Sequence, residues 1–261
     1  MGRWLEMALV GVDTETTGLS VTEDRVFEVA LVTYEGGART GTFCELIDPT
    51  RPLAEASLEK TGVRNEDLQG KPTFAHFAAE IVARMTDKVI VGYNLLGFDL
   101  PIIQSELRRV GLELPRCWPV DVLIFARGLV QGGRHNLSEM ARKFDIAMET
   151  AHRADADADA TVRLLLAMAP DLPPELDNLL HLQAQWREEQ RARRAVWRGR
   201  RDEPQAPEVI LGQESASQNR FVDAEGRVLL GPGYLYGGRE VDPLRAFLMA
   251  YCNASVQSSR D

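Results

Sequence analysis

Four carboxylates and one histidine stand out by residue type and spacing. Asp13 and Glu15 are two residues apart at the end of the run ALVGVDT (Ala8 to Thr14). A strand repeats its faces every two residues, so both side chains share a face, about 7 Å apart along the backbone. Two acids side by side at the end of a buried strand repel each other, and a divalent cation is the simplest group that neutralises them. For an isolated pair of this kind, a strand fading into a solvated acidic turn is the simpler account. Asp99 follows Phe98 and precedes Leu100 and Pro101 at a helix start, where an N-cap aspartate is ordinary. Asp157 stands between Asp155 and Asp159 in DADADA, which suits the first turn of a helix, and His152 by itself reads as a surface histidine. Each residue has an ordinary account separately; those accounts leave the combination unexplained.

The elements that must position these residues follow from periodicity. Ala8 to Thr14 reads as a buried strand, followed by the turn-prone TTGLS. Val26 to Tyr34 and Arg39 to Ile47 read as strands of a hairpin closed at Gly36 and Gly37. A short helix over 53–60 leads to a turn at Gly62, and 72–85 carries Phe74, Phe77, Ala78, Ile81 and Met85 at helical spacing. A β-branched run over 89–91 precedes a helix over 99–110, closed by Gly111. Helical patterns then cover 122–129, 137–144 and 156–168, until Pro170, Pro173 and Pro174 end the block. The order of strand, hairpin, helix, strand and several helices indicates an α/β sheet with helices packed on it. Beyond it lie a polar helix over 175–194, a Pro- and Ser-rich loop over 202–218, the β-leaning FVDAEGRVLLG and a last apolar stretch, LRAFLMAYC.

A chain of 261 residues with 44% apolar residues can bury one sizeable core and carry a smaller appendage. No apolar run approaches the roughly 20 residues that cross a bilayer, and MGRWLEMALVGVD lacks the features of a signal peptide, so the expectation is a cytoplasmic protein with no membrane partner. Cys44, Cys117 and Cys252 are far apart and show no CxxC spacing, as expected of plain thiols. A net charge of −9 argues against a broad basic surface gripping nucleic acid, though not against an enzyme that handles one strand end. Trp186 to Arg201 holds seven arginines and two tryptophans. It can track a phosphate backbone, or form a solvated helix with Glu–Arg pairs packed by its tryptophans, and the second account is the simpler.

The motifs VDTETTGL (Val12 to Leu19), VGYNLLGFD (Val91 to Asp99) and HRADADA (His152 to Ala158), with His152 and Asp157 separated by four residues, resemble the DEDDh 3′→5′ exonucleases. This family includes the proofreading epsilon subunit of bacterial replicases, exonuclease I and RNase T. TGVRNEDLQGKPTF (Thr61 to Phe74), VDVLIFAR (Val120 to Arg127) and HNLSEMARKF (His135 to Phe144) extend the resemblance in the correct order over about residues 7–170. Tyr93 departs from the histidine that many members carry before the asparagine; exonuclease I also has tyrosine there. The resemblance implies a ribonuclease-H-like mixed five-stranded sheet flanked by helices, with a small C-terminal appendage. The expected division is an exonuclease domain over 1–172, a polar Arg-rich helix over 173–201, a linker over 202–218 and a small module over 219–261. The module faintly resembles one that some bacterial exonucleases carry, without its usual lysines at Gly231 to Gly238, and no activity is assigned to it.

The resemblance also implies a chemistry. Asp13, Glu15, Asp99 and Asp157 would hold two divalent cations, Asp13 bridging both, and hard carboxylate oxygens select Mg²⁺ or Mn²⁺. His152 would act as general base from a loop, because five residues along a helix turn it about 140° away from Asp157. Thr14, Thr16, Thr17 and Gly18 would offer hydroxyl and N–H groups to the terminal nucleotide, and Asn94 would orient its turn or meet a phosphate. Leu19 and Phe98 would stack on the base, or simply pack in the core. The expected activity is 3′→5′ hydrolysis of single-stranded or frayed DNA ends, releasing nucleoside monophosphates. The expected partners are that nucleic-acid end and a polymerase or other protein of DNA metabolism. An exoribonuclease of RNA maturation uses the same five residues, and a catalytically silent tethering subunit would lack at least one of them; none is missing here.

Overall fold

The computed structural model describes residues 2–148 and 153–202, together with four two-residue strands between 221 and 240. At its centre runs β1 (Leu9–Thr16), flanked on one side by β2 (Val26–Glu35) and β3 (Ala38–Leu46), and on the other by β4 (Val89–Gly92) and β5 (Trp118–Asp121). The order is β3-β2-β1-β4-β5. β2 is antiparallel to both β1 and β3, and β1, β4 and β5 run parallel, so the sheet is mixed, as expected. β2 is buried on both faces and reads as a nearly continuous apolar run, the pattern of a covered strand. The β2–β3 hairpin turns in two residues, Gly36 and Gly37, both at positive φ (58° and 81°), as a primed two-residue turn demands.

Alternation along β1 distributes the core between two layers. Val10 and Val12 face a layer built from α3 (Phe74–Met85) and α4 (Asp99–Arg109), with Ile81, Met85, Ile102 and Ile103 fully buried. Leu9, with Ala30, Val32, Val89 and Val91, faces α5 (Val122–Leu129), α6 (Leu137–Lys143) and α7 (Ala154–Met168). A third small cluster, Phe27, Leu53, Val63 and Leu68, seats α1 (Glu55–Thr61) and α2 (Asn65–Leu68) at the end of the hairpin. Gly62 closes α1 at φ 72°, the left-handed C-terminal position expected of it.

The last described helix, α8 (Leu176–Asp202), has a structured stripe. Leu176 and Leu179 are fully buried, Gln183 is buried, and the Trp186 ring meets Phe125 edge-on, with centroids 6.0 Å apart. Gly128 makes this approach feasible, since a Cβ there would lie 2.1 Å from the Trp186 ring. The start of α8 is also tied to the N-terminus. Trp4 donates its backbone N–H to Pro174 O and its indole N–H to Pro173 O, and Leu176 N–H reaches Gly2 O. Residues Met1–Pro204 thus form one compact unit, in which α8 follows the end expected at residue 172. In the second unit, Gln205–Asp261, β6 (Phe221–Val222) pairs with β7 (Val228–Leu229), and β8 (Leu235–Tyr236) with β9 (Arg239–Glu240), both antiparallel. The expected loop after residue 202, the stretch LRAFLMAYC and Cys252 lie outside the described residues.

Cys44 and Cys117 are free, half-buried thiols; burial raises both pKa values, that of Cys44 to about 12 with the Glu28 charge adding to it. No described helix is long and apolar enough to cross a membrane.

Candidate active site

A missing side chain sets the distance between the sheet and α7. Odd-numbered residues of β1 face α7, and a Cβ on Gly11 would lie 2.7 Å from both Ala158 O and Val162 Cγ2. Only glycine lets the helix backbone come this near. The close approach places Asp157, the residue before Ala158, beside Asp13, two residues beyond Gly11 on the same face. One carboxylate oxygen from each of Asp13, Glu15 and Asp157 lies within 4.8 Å of the others.

Asp99 arrives from the opposite layer. Its helix α4 begins at Asp99 itself, Phe98 holds the cap position, and no side chain caps it. The carboxylate turns instead to β1, where Oδ1 accepts from Thr14 N at 3.0 Å and Thr14 Oγ1 at 2.8 Å. The ordinary N-cap role is therefore not the one Asp99 plays, and one strand end collects acids from both layers. Asp99 lies outside the group of three oxygens, yet its charge reaches Asp13.

These acids resist ionising together. Desolvation, followed by the charges of Asp99, Asp157 and Glu15, raises the Asp13 pKa well above the ordinary aspartate value. Burial carries Asp99 to about 7 despite its bonds from Thr14, and burial likewise raises Glu15. Carboxylates crowded this way are stabilised by a bound cation, and an all-oxygen, thiol-free donor set fits Mg²⁺ or Mn²⁺.

Three groups not foreseen from the sequence surround the cluster. Lys60, at the end of α1, lies 3.1 and 3.0 Å from the two oxygens of Glu15. Glu28, directly across β2 from Glu15 and fully buried, accepts at Oε1 from Arg153 Nε and Nη2 at 3.2 and 3.0 Å. Arg153 immediately precedes α7. An acid inside the apolar run VFEVALV is the sequence signal that could have pointed to a buried ion pair. His152 lies outside the described residues.

The third group, Asp121 at the end of β5, braces the turn before Asp99. Its carboxylate accepts from the backbone N–H groups of Asn94 (3.0 Å), Leu96 (3.1 Å) and Leu123 (3.2 Å). Asn94 takes a left-handed φ of 68°, and its side chain occupies the space where Gly97 lacks a Cβ. Tyr93 donates its hydroxyl to His135 O at 2.7 Å. Helix α8 supports the same turn: Gln183 Oε1 accepts from Asp121 N at 2.6 Å, and Arg187 Nη2 reaches Leu96 O at 3.3 Å.

The remaining expected substrate residues divide into braces and a projection. The hydroxyls of Thr14, Thr16 and Thr17 donate to Asp99, Gly18 O and Asp24 respectively, and the Asp24 carboxylate fills the space a Gly18 side chain would need. Phe98 packs, half-buried, against the α3–α4 core. Leu19 projects from the same loop at 88% exposure.

A sequence profile for the family described as Exonuclease matches residues 10–165. Among known relatives, the PolC-type DNA polymerase III of Halalkalibacterium halodurans is 33% identical over 178 residues, 68% of this chain and 12% of that protein. The 3′-5′ exonuclease DinG of Bacillus subtilis is 28% identical over 165 residues, 62% of this chain and 18% of that protein. The fold resembles that of E. coli exonuclease I, solved as a complex with single-stranded DNA, with a TM-score of 0.58 and 20% identity over 66% of this chain and 42% of that one. The chain thus spans less than a fifth of these two sequence relatives. With a profile match that covers more than half of its length, the chain belongs to the exonuclease family.

Proposed function

We propose that the chain is a 3′→5′ exonuclease that hydrolyses phosphodiester bonds at single-stranded or frayed DNA ends and releases nucleoside monophosphates. The observation that carries this reading is the convergence of Asp13, Glu15 and Asp157 oxygens within 4.8 Å, with Asp99 fastened to the same strand end. Asp13, Glu15 and Asp157 would hold one Mg²⁺ or Mn²⁺ and Asp99, with Asp13, a second. Two such ions supply, when bound, a water of lowered pKa and positive charge for the pentacovalent phosphate.

The protein's own groups do the rest. Thr14 fixes the Asp99 carboxylate, Gly11 fixes the approach of Asp157, and Asp121 holds the turn between β4 and α4. His152 would accept the proton of the attacking water, and its neighbour Arg153 is anchored on Glu28. Leu19 would meet the terminal base, Phe98 would line the pocket beside it, and the Thr14–Gly18 backbone would face the terminal nucleotide. Similarity to a PolC-type DNA polymerase III favours DNA over RNA and a polymerase or other DNA-metabolism protein as partner, similarity to the 3′-5′ exonuclease DinG favours this direction of hydrolysis, and action in the cytoplasm belongs to the same proposal. The test is incubation of end-labelled single-stranded DNA, duplex DNA and RNA with Mg²⁺ or Mn²⁺. Shortening of the DNA from its 3′ end is expected; degradation of RNA alone would make the chain an exoribonuclease, and inertness toward all three would refute hydrolysis.

A further inference from the structure

The inward face of α8 changes character along its length. Gln183, Arg187, Gln190 and Arg194 recur at helical spacing and therefore share a face. Gln183 bonds β5, Arg187 bonds Leu96 O, and Gln190 bonds Ile124 O at 2.9 Å, which carries the helix past the end of the sheet where the acids collect. Beyond that point Arg194, one turn past Gln190, lies near enough to Arg127 of α5 for its charge to be felt there. The outer face is neutralised internally, with Arg191 Nη1 at 2.9 Å from Glu188 and Arg193 Nη2 at 3.7 Å from Glu189. Among the described residues, Arg127, Arg187 and Arg194 have no ion-pair partner within 4.0 Å. Asp121, whose field reaches both Arg127 and Arg187, already accepts three backbone N–H groups.

Like charges brought together are costly in isolation, and the Asp121 charge, joined at Arg187 by that of Glu188, offsets the cost only in part. Burial, then the Arg194 charge, holds the Arg127 pKa below its usual value, and burial, then Arg191, does the same for Arg187. A polyanion relieves this repulsion, and the planar guanidinium matches phosphate oxygens in pairs. On a chain of net charge −9, this local cluster beside the Asn94–Phe98 turn is a specific feature.

We propose that Arg127, Arg187 and Arg194 form a phosphate-binding surface for the single strand behind its 3′ end, an inference that rests on the exonuclease reading for the identity of its ligand. The test is fluorescence anisotropy of 5′-labelled dT20 and dT3 with the full chain in EDTA, over a range of salt concentrations. The double variant Arg127→Gln/Arg194→Gln should bind dT20 about tenfold more weakly. Its log–log salt slope should be shallower by about 1.4, the loss of two single-strand phosphate contacts at roughly 0.7 each. The ratio of dT20 to dT3 affinity should fall, and Arg127→Lys/Arg194→Lys should recover the slope. The single exchange Arg194→Glu, at an exposed position, decides the matter if the double variant does not fold. Unchanged dT20 affinity and slope in a folded variant would overturn the proposal, as would weakened binding of polyglutamate with dT20 binding intact, which would make this a surface for an acidic protein. Because binding is read without hydrolysis, a chain that cleaves nothing yet loses dT20 through these substitutions would refute the exonuclease reading alone.

Discussion

Lys60 holds its ammonium 3.0–3.1 Å from both carboxylate oxygens of Glu15, across 45 residues of sequence. Burial works against the lysine charge, yet the Glu15 charge and hydrogen bonds, together with the charges of Asp13 and Asp157, outweigh it and the Lys60 pKa is raised. This cation competes for the same oxygens as a divalent ion. Lys60→Met should therefore tighten Mn²⁺ binding about two- to fivefold, the scale of a solvent-screened pair of roughly 0.5–1 kcal/mol. Calorimetric titration with Mn²⁺ checks this, and weaker binding in the variant would show that Lys60 orients Glu15 for the ion.

The raised carboxylates give stability an unusual pH dependence. Asp13 is held well above 3.8 and Asp99 near 7, so the metal-free folded state keeps protons that the unfolded chain has released. Their contribution is fully present below the unfolded pKa near 3.8 and is lost as pH rises through the folded values, about 7 for Asp99 and well above 3.8 for Asp13. In EDTA the melting temperature should fall between pH 5 and 8, Mg²⁺ should restore it at pH 8, and Asp13→Asn should flatten the profile. A wild-type melting temperature that rises over this range, unaltered by Asp13→Asn, would contradict the assignment.

Gly11→Ala adds a methyl 2.7 Å from Ala158 O and Val162 Cγ2. It should cost about 1–3 kcal/mol through overpacking. Displacement of Asp157 should also weaken Mn²⁺ binding. Denaturant titration and calorimetry read the two effects separately, and ion affinity equal to wild type would show that α7 is not positioned by this contact.

Residues 1–204 should be the smallest stable catalytic unit, because ending the chain at residue 172 removes Leu176 and Leu179 from the core and the Pro173 and Pro174 acceptors from Trp4. Each fully buried leucine contributes about 1.5–3 kcal/mol. The 1–204 fragment should melt cooperatively and the 1–172 fragment should not; cooperative melting of the shorter fragment would place the boundary where the sequence suggested it.

Elements with a sustained period were legible: β1, the Gly36–Gly37 hairpin, and α3 to α7 within a few residues of their ends. Strand β5 was not, since Trp118–Asp121 is four residues long with a proline inside, too short for alternation to register. Helix α8 read as a polar helix packed by its tryptophans, and Trp186 does pack on Phe125; the rest of its inward stripe, Leu176, Leu179, Gln183 and Gln190, was hidden because two of its members are glutamines that bond backbone. The acids themselves were visible in the motifs. Their supports were not, because Lys60, Glu28 and Asp121 act through partners that only the fold brings near.

The most direct measurement is degradation of 5′-labelled single-stranded DNA in Mg²⁺ by the wild type and by Asp157→Asn, each with native circular dichroism. A ladder shortening from the 3′ end is expected for the wild type, abolished by EDTA, and no shortening for the variant. Undiminished shortening by Asp157→Asn, or by the wild type in EDTA, would contradict a metal-dependent site built on Asp13, Glu15, Asp99 and Asp157.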